Sequence, residues 1–488
     1  MKTKTLLVFV LILAFVMRMI VVGQSFWLDE AIGALVVKER NLVDIAINFP
    51  KGDNHPPLYY MLLEIWSNIF GYSEIALRSL SVLFGVGSVF VTYKIAQLIT
   101  SHKSQITHSF SAATALLLAT SGFHIYYSQE ARMYMMAAFF ASLSIYSYMM
   151  VLRKMQNIKY WAIFSLSIVA LAFTDYVPVF LLPIFWVYPL IVKKDKRWWK
   201  IFIASHTPLL VFGILWLPTL LYQSQRGRWL LQTLPAWRNV AGGATLKQAV
   251  LVWTKFVLGR ISLIDKGFYY SIVVLASAPF VYLLYKAWRK KRGEIQLVWM
   301  WLLIPLVLGF VASFMFPAFI YFRFVYVYPA FILLTAYGLF QIASKNIRNI
   351  VFLCLLLINL LSWGLYIVEP YQQREHWRDA IGFVESKAKD NDIALFTNPE
   401  PFAPARYYST GKLNLVGTTD SIFANKDETI KKTNTALLGK SGVYYFEYLQ
   451  DLHDPNGYVL SAILDNGFFK KEIYSHFPGI GFITYYTR

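Results

Sequence analysis

The chain has a single cysteine, Cys354, among 488 residues. It lies in an apolar run, so neither a disulfide framework nor a thiolate metal site can form. Charge is also scarce: Asp, Glu, Lys and Arg make up 15% of the residues and apolar types 57%. Repeated apolar runs near 20 residues then predict a polytopic membrane protein. A Walker-type Gly-rich loop, a His/Cys metal constellation and a G-x-S-x-G elbow are all missing, which argues against cytoplasmic nucleotide chemistry. No internal repeat is visible, which weighs against a transporter built from inverted halves.

The charge that is present is sorted. The first 370 residues hold 33 basic and 13 acidic side chains, whereas the last 118 hold 13 and 14. The basic excess therefore belongs to the apolar part and reads as a topology signal, not as nucleic-acid binding. At the N-terminus Lys2 and Lys4 precede an apolar run from Thr5 to Gly23 with no clear A-x-A site, so an uncleaved first span is expected.

Apolar runs able to span fall at about 5–23, 79–99, 106–122, 133–152, 159–175, 176–192, 200–221, 267–288, 296–315, 322–342 and 348–368. These make about eleven spans. Basic residues mark alternate connections, at His102-Lys103, Arg153-Lys154, Lys193 to Lys200, Lys286 to Arg292, and Lys345 with Arg348, so these and the N-terminus are placed in the cytoplasm. Residues 57–71 are apolar but short, and a full crossing there would break the parity. They are expected to form a re-entrant or interfacial helix, as are residues 246–261. Segments 24–56, 123–132, 222–248 and 316–321 then share the outer side with the tail. The tail (371–488) has short strand-like runs (Ile393 to Phe396, Gly442 to Phe446, Phe482 to Tyr486) and a helical pattern from Trp377 to Lys389. It is expected to be a small extracytoplasmic α/β domain following a membrane domain of residues 1–370.

Of the thirteen acids in the membrane part, nine fall on the outer side. Asp29 and Glu30 stand out because they directly follow an apolar span, and ionisable groups at that depth are functional candidates. Adjacent residues on a helix point about 100° apart, so one of the two can face a cleft; the plainer reading makes Asp29 a helix cap. His55, ahead of Pro56-Pro57 and near Tyr59, is held at a helix start, where it can bind an anion or merely cap. Tyr127, Glu130, Arg132 and Tyr134 lie in an aromatic polar loop. There Arg132 can fork onto a phosphate or pair with Glu130, and the rings can form an interfacial belt. Arg323 ends a late span, Arg18 sits inside the first, and Arg226, Arg228 and Arg238 lie in an outer loop; snorkelling is the plain account of the first two. A carboxylate that takes an acceptor proton, with cations that hold a leaving phosphate, suits transfer from an anionic lipid-linked donor.

The series Trp27-Leu28-Asp29-Glu30-Ala31, His55-Pro56-Pro57-Leu58-Tyr59-Tyr60, Arg78-Ser79-Leu80-Ser81 and Tyr127-Ser128-Gln129-Glu130-Ala131-Arg132-Met133-Tyr134 resembles the GT-C superfamily of membrane glycosyltransferases. The similar branch contains protein O-mannosyltransferases and the bacterial aminoarabinose-lipid A transferase. The resemblance implies an α-helical polytopic fold with an outward-facing cavity, a polyprenyl-phosphate sugar donor, and inversion at the sugar carbon. It implies a lipid, glycan or protein acceptor. In this scheme Asp29, with Glu30 beside it, is the base or acceptor-orienting group. His55, Tyr59, Tyr127, Glu130, Arg132, Tyr134 and Arg323 contact substrate. The acidic residue often found before His55 is Asn54 here, so the sequence does not support a metal site built on it; no cofactor is required, and a divalent metal stays an open alternative. The setting implied is a cell membrane, with the N-terminus cytoplasmic and the tail outside. The competing classes are a lipid-linked glycan flippase, which would show polar groups deep in several spans, and a non-catalytic scaffold, which would leave Asp29, His55 and Arg132 replaceable.

Overall fold

The structure, a computed structural model, describes residues 3–100, 105–235, 237–290 and 293–488. Lys2, His102, Lys103, Lys291 and Arg292, used above as topology signals, lie outside the described residues, and so does the side chain of Arg238. The chain divides into two compact units. One comprises Met1–Val22, Asn41–Gln225 and Ala241–Val368; the other comprises Gly23–Arg40, Arg226–Val240 and Glu369–Arg488.

The first unit is helical. It begins with α1 (Thr3–Met19); α2 (Leu28–Glu39) belongs to the second unit. Two short helices, α3 (Leu42–Ile47) and α4 (Phe49–Gly52), precede α5 (Leu58–Phe70). Pro56-Pro57 pre-set the backbone at the start of α5, and Gly71, at φ +88°, ends it. Its thirteen residues reach only about 20 Å, short of the roughly 30 Å hydrocarbon core. Residues 57–71 therefore do not cross as one helix. Tyr59, Tyr60, Leu63 and Ser67 are the buried positions of α5.

Helices α6 (Glu74–Ile99), α7 (Gln105–Thr120), α8 (Gly122–Ser128), α9 (Tyr134–Arg153) and α10 (Ile158–Thr174) follow, with α9 packed against both α6 and α10. A 3-10 turn (Val177–Leu181) leads into α11 (Leu182–Ile191). Next come α12 (Lys196–Ser205), α13 (Thr207–Thr233), α14 (Trp237–Ala241), α15 (Leu246–Leu258), α16 (Lys266–Arg289) and α17 (Glu294–Ala312). A second 3-10 stretch (Tyr321–Val327) runs into α18 (Tyr328–Phe340), and α19 (Lys345–Val368) closes the unit. Helices thus stand at all eleven expected positions. Among the described residues seven helical stretches are long and apolar enough to cross a bilayer, and α10 and Val177–Ile191 are shorter apolar helices. The chain is a multi-pass membrane protein.

Two expected loops are not loops. Residues 222–248 open as a continuation of α13, which carries Arg226 and Arg228 to its surface. Residues 123–132 are α8 and a turn, buried throughout. Serine and aromatic side chains fill this segment, and they pack in a helical interior as readily as they solvate a loop. The ends assigned to the cytoplasm do gather. Arg153, which closes α9, pairs with Glu294 at the start of α17 at 2.6 Å and donates to the Leu98 carbonyl of α6; Lys194 reaches Leu152 O at 2.7 Å.

In the second unit a five-stranded sheet has the order β2-β1-β3-β5-β4. The strands are β1 (Asp392–Phe396), β2 (Asn414–Gly417), β3 (Gly442–Phe446), β4 (Phe469–Tyr474) and β5 (Ile483–Thr487). β1 pairs in parallel with β2 and β3, whereas β5 is antiparallel to β3 and β4. Alternation sends Ala394 and Phe396 to one face, with Trp377 and Ile381 of helix α20 (Trp377–Lys387), and Ile393 and Leu395 to the other, with Val459 and Ile463. The strands expected at β1, β3 and β5 are present. β2 and β4 have no such signal: both are edges, and β4 (Phe-Lys-Lys-Glu-Ile-Tyr) is exposed along most of its length.

Residues 23–40 fasten onto this unit. Phe26 N donates to Tyr408 Oη at 2.7 Å, Arg374 N to Gln24 Oε1 at 3.0 Å, and Arg378 N to Ser25 Oγ at 3.2 Å. Arg406 bridges Glu39 at 3.3 Å and Glu400 at 3.0 Å.

Candidate functional site

The approach to α5 forms the first part of the helical unit's polar cluster. Asp53 Oδ1 accepts from both the backbone N and Nδ1 of His55, at 2.8 and 2.6 Å. A carboxylate only accepts, so Nδ1 carries the proton and Nε2 is the nitrogen left for other chemistry. Gln223 of α13 clamps this turn, donating Nε2 to the carbonyls of Pro50, Asp53 and His55 at 2.8, 3.0 and 3.2 Å. Burial pushes the Asp53 carboxyl up, but the charge and hydrogen bonds of His55, with Arg132 adding to them, outweigh it and hold the group below the usual range.

Arg132 completes the cluster from the turn between α8 and α9. Its Nη1 donates to Tyr60 Oη at 2.8 Å, its N–H to Glu130 O at 2.7 Å, and its own carbonyl accepts from Ser81 Oγ at 3.3 Å. Ser81 in turn meets Tyr59 Oη at 3.1 Å. Positions 53–60, 81 and 132, far apart in sequence, therefore meet through hydrogen bonds and charge. Glu130 and Arg132 are both buried. Tyr134 at the start of α9 packs edge-on to Tyr127 at 5.4 Å and to Phe322 at 5.5 Å.

A cation without an expected role lies among the aromatic rings of the same unit. Arg260 lies over the rings of Tyr126 and Tyr321, 5.6 and 5.7 Å from their centroids. Gly259, at φ +71°, makes the turn that delivers it; a Cβ there would lie 3.0 Å from Phe123 N. Lys255 fastens the same turn, donating Nζ to Ile261 O at 2.8 Å. The sequence signal for Arg260 was a glycine-arginine step closing an amphipathic helix.

Arg323 stands at the end of a late span, where the stretch Tyr321–Val327 leads into α18. It lies in the 3-10 stretch and donates Nη1 to Pro317 O at 2.8 Å, which ties down its own loop, while its neighbour Phe322 meets Tyr134. Arg18 does not snorkel. It is fully buried, and Nε, Nη1 and Nη2 between them reach Ser128, Ala14, Ala119, Leu118 and His124.

Asp29 and Glu30 belong to the second unit, in the first turn of α2. The helix starts two residues earlier than a capping role for Asp29 requires. Trp27 occupies the cap position and makes no side-chain cap bond. Acids in a first turn are favoured by the helix dipole. Glu30 is fully buried, and Asp29 is partly exposed. Glu375 accepts from Leu28 N, from Trp377 Nε1 at 2.7 Å and from Tyr448 Oη at 3.0 Å. Burial, opposed by these donors and reinforced by the nearby Asp29 charge, raises Glu375 to about 7. Nothing in its sequence surroundings marked Glu375. Among the described residues no three His, Cys, Asp or Glu side chains group as metal ligands.

Residues 54–222 match a family model described as dolichyl-phosphate-mannose-protein mannosyltransferase. An uncharacterized protein of Aquifex aeolicus (strain VF5) is 25% identical over 353 residues, which is 70% of this chain and 65% of that relative's length. The structure of ArnT from Cupriavidus metallidurans bound to undecaprenyl phosphate superposes with a TM-score of 0.60 at 12% identity, covering 99% of this chain and 97% of that one. The apo oligosaccharyltransferase of Archaeoglobus fulgidus gives 0.54 at 10% identity, covering 100% and 74%. The chain has the GT-C fold, in line with the resemblance carried by its motifs.

Proposed function

We propose that this protein is a membrane glycosyltransferase that moves a sugar from a polyprenyl-phosphate donor to an acceptor hydroxyl, with inversion, on the extracytoplasmic side of the cell membrane. In this reading the N-terminus is cytoplasmic and the tail is outside. The observation that carries the proposal is the cluster of Arg132, Tyr60, Asp53 and His55, together with Arg260 over the rings of Tyr126 and Tyr321, in a fold that resembles a solved structure holding undecaprenyl phosphate. Guanidinium groups with aromatic and hydroxyl neighbours suit a phosphate at the end of an apolar tail.

The acceptor oxygen attacks the anomeric carbon as the bond from that carbon to the phosphate oxygen breaks. Asp29 orients the acceptor hydroxyl and takes its proton. Polyprenyl phosphate leaves with the bonding electron pair, and Arg132 and Arg260 hold the growing charge. Phosphate leaves without a strong general acid, and the guanidinium groups supply the positive charge, so the scheme needs no cofactor. Asp29 is assigned the proton over Glu30 because it is the partly exposed member of the pair.

The test is to incubate purified protein in nanodiscs with a panel of polyprenyl-phosphate sugars and an acceptor-containing membrane extract. Loss of each donor is followed by mass spectrometry. One donor is consumed, and Asp29→Asn slows turnover by about 100-fold or more with little loss of donor binding. Binding without consumption, equal in both proteins, would replace this reading with a transporter or scaffold.

A further inference from the structure

Helix α13 buries a single side chain along its length, and that side chain is the polar Gln223. Its apolar residues, among them Leu215, Leu217, Leu220 and Leu221, are exposed, as suits a helix that faces lipid. A polar group turned inward from such a helix points to a role other than packing. The helix is held at the end of α10, where Phe173 meets Phe212 and Trp216 edge-on at 6.1 and 5.7 Å. Beside this contact Tyr176 Oη accepts from Trp216 Nε1 at 2.8 Å and donates to Gln223 Oε1. The amide is thereby turned with its oxygen towards Tyr176 and its nitrogen towards the turn before α5. There Nε2 serves the carbonyls of Pro50, Asp53 and His55. A carboxylate only accepts and an ammonium only donates, so neither could do both tasks. All these residues belong to the helical unit.

We propose that Gln223, oriented by Tyr176 and Trp216, is the positioning residue of the Asp53–His55 pair. The inference rests on the reading that places this pair at the donor phosphate. The turn is held on two sides. Gln223 takes its carbonyls, and Asp53 Oδ1 takes the His55 N–H and Nδ1–H at 2.8 and 2.6 Å. With the backbone fixed, the carboxylate stays within reach of Nδ1 and keeps the proton there. Nε2 is left to bind a second proton and donate a hydrogen bond to the phosphate, with the Asp53 charge opposite. Without Gln223 the carbonyls lose their donor and the turn shifts. An imidazole that has left Asp53 has no preferred tautomer, and its charged form loses its counter-ion. Gln223 touches no substrate in this scheme; it acts through His55.

Solid-state nitrogen NMR of protein carrying isotope-labelled histidine, in nanodiscs, reads the tautomer directly. The His55 signals are assigned by their loss in His55→Ala. At alkaline pH the parent shows His55 protonated on Nδ1. Gln223→Met keeps the length and loses the amide, and it shows a mixture of both tautomers. Tyr176→Phe keeps the ring and frees the amide to turn. It falls between the two, and it carries every readout if Gln223→Met does not fold. Binding of undecaprenyl phosphate weakens about three- to tenfold in Gln223→Met. Adding Gln223→Met to His55→Ala weakens binding no further than His55→Ala alone, because the effect passes through the imidazole. A His55 tautomer unchanged in the folded variants, or losses of binding that add in the double variant, overturns the inference. A tautomer mixture with undecaprenyl phosphate bound as in the parent supports the positioning role and overturns the reading that the pair lies at the donor.

Discussion

Arg18 Nη2 donates to His124 Nδ1 at 2.7 Å, with both side chains fully buried. A guanidinium has no acceptor, so the histidine nitrogen facing it is unprotonated. The charge is satisfied without a carboxylate, by carbonyl oxygens of α1 and α7, by Ser128 and by a neutral ring. Arg18→Met should destabilise the protein by about 2 kcal/mol or more, because it leaves His124 Nδ1 unpaired and Ser128 with its bond to the His124 carbonyl alone. Lysine offers three donors where arginine offers five, so Arg18→Lys restores part of the loss at most. Thermal unfolding in detergent reads both.

Arg132 and Arg260 predict separable defects. Arg132→Ala removes the bond to Tyr60 and leaves Asp53 with His55 as its partner, so donor binding falls by about tenfold or more. Arg260→Lys keeps the charge but loses the planar contact with Tyr126 and Tyr321, and it should fall between the parent and Arg260→Ala. Polyprenyl-phosphate binding to each variant in nanodiscs ranks them. Equal affinity in all three would remove both residues from the donor site.

Asp53 predicts an acid-side loss of stability. Its folded pKa lies below its unfolded one, because the pull of His55 and Arg132 exceeds the effect of burial. The stabilisation is therefore complete above the unfolded carboxylate value of about 4 and is lost as pH falls through the folded value. The melting temperature of the parent should decline across that window more steeply than that of Asp53→Asn. Parallel curves would show that the pair contributes nothing.

Gly338 predicts a packing failure. A Cβ on it would collide with the Leu283 carbonyl of α16, so α16 and α18 meet through backbone at this point. Neither backbone can move aside cheaply, and Gly338→Ala should cost about 1–3 kcal/mol or prevent assembly, in the range of other overpacked sites. Glycine at 364 on α19 faces open space, so Gly364→Ala is the matched control and should be neutral or slightly stabilising. Yields of monodisperse protein and melting temperatures distinguish the two.

Length and apolar periodicity settled where the helices lie, because a hydrocarbon core demands long apolar runs with internal hydrogen bonds. The same logic gave β1, β3 and β5, whose apolar residues are buried on both faces, and the short α5 behind its two prolines. The motifs around Asp29, His55 and Arg132 were legible because ionisable groups beside apolar spans are rare. Tertiary structure decided which of them meet. Arg132 reaches Tyr60 and the Asp53–His55 pair because α5 and the α8–α9 turn are packed together, and no local pattern encodes that approach. It also turned Arg18 inward, a choice that depends on five acceptors being within reach. Glu375 was not recognisable beforehand, and Arg260 only as a glycine-arginine step closing an amphipathic helix, for the same reason: each is an ordinary charged residue in sequence, and only its neighbours in the fold give it chemistry.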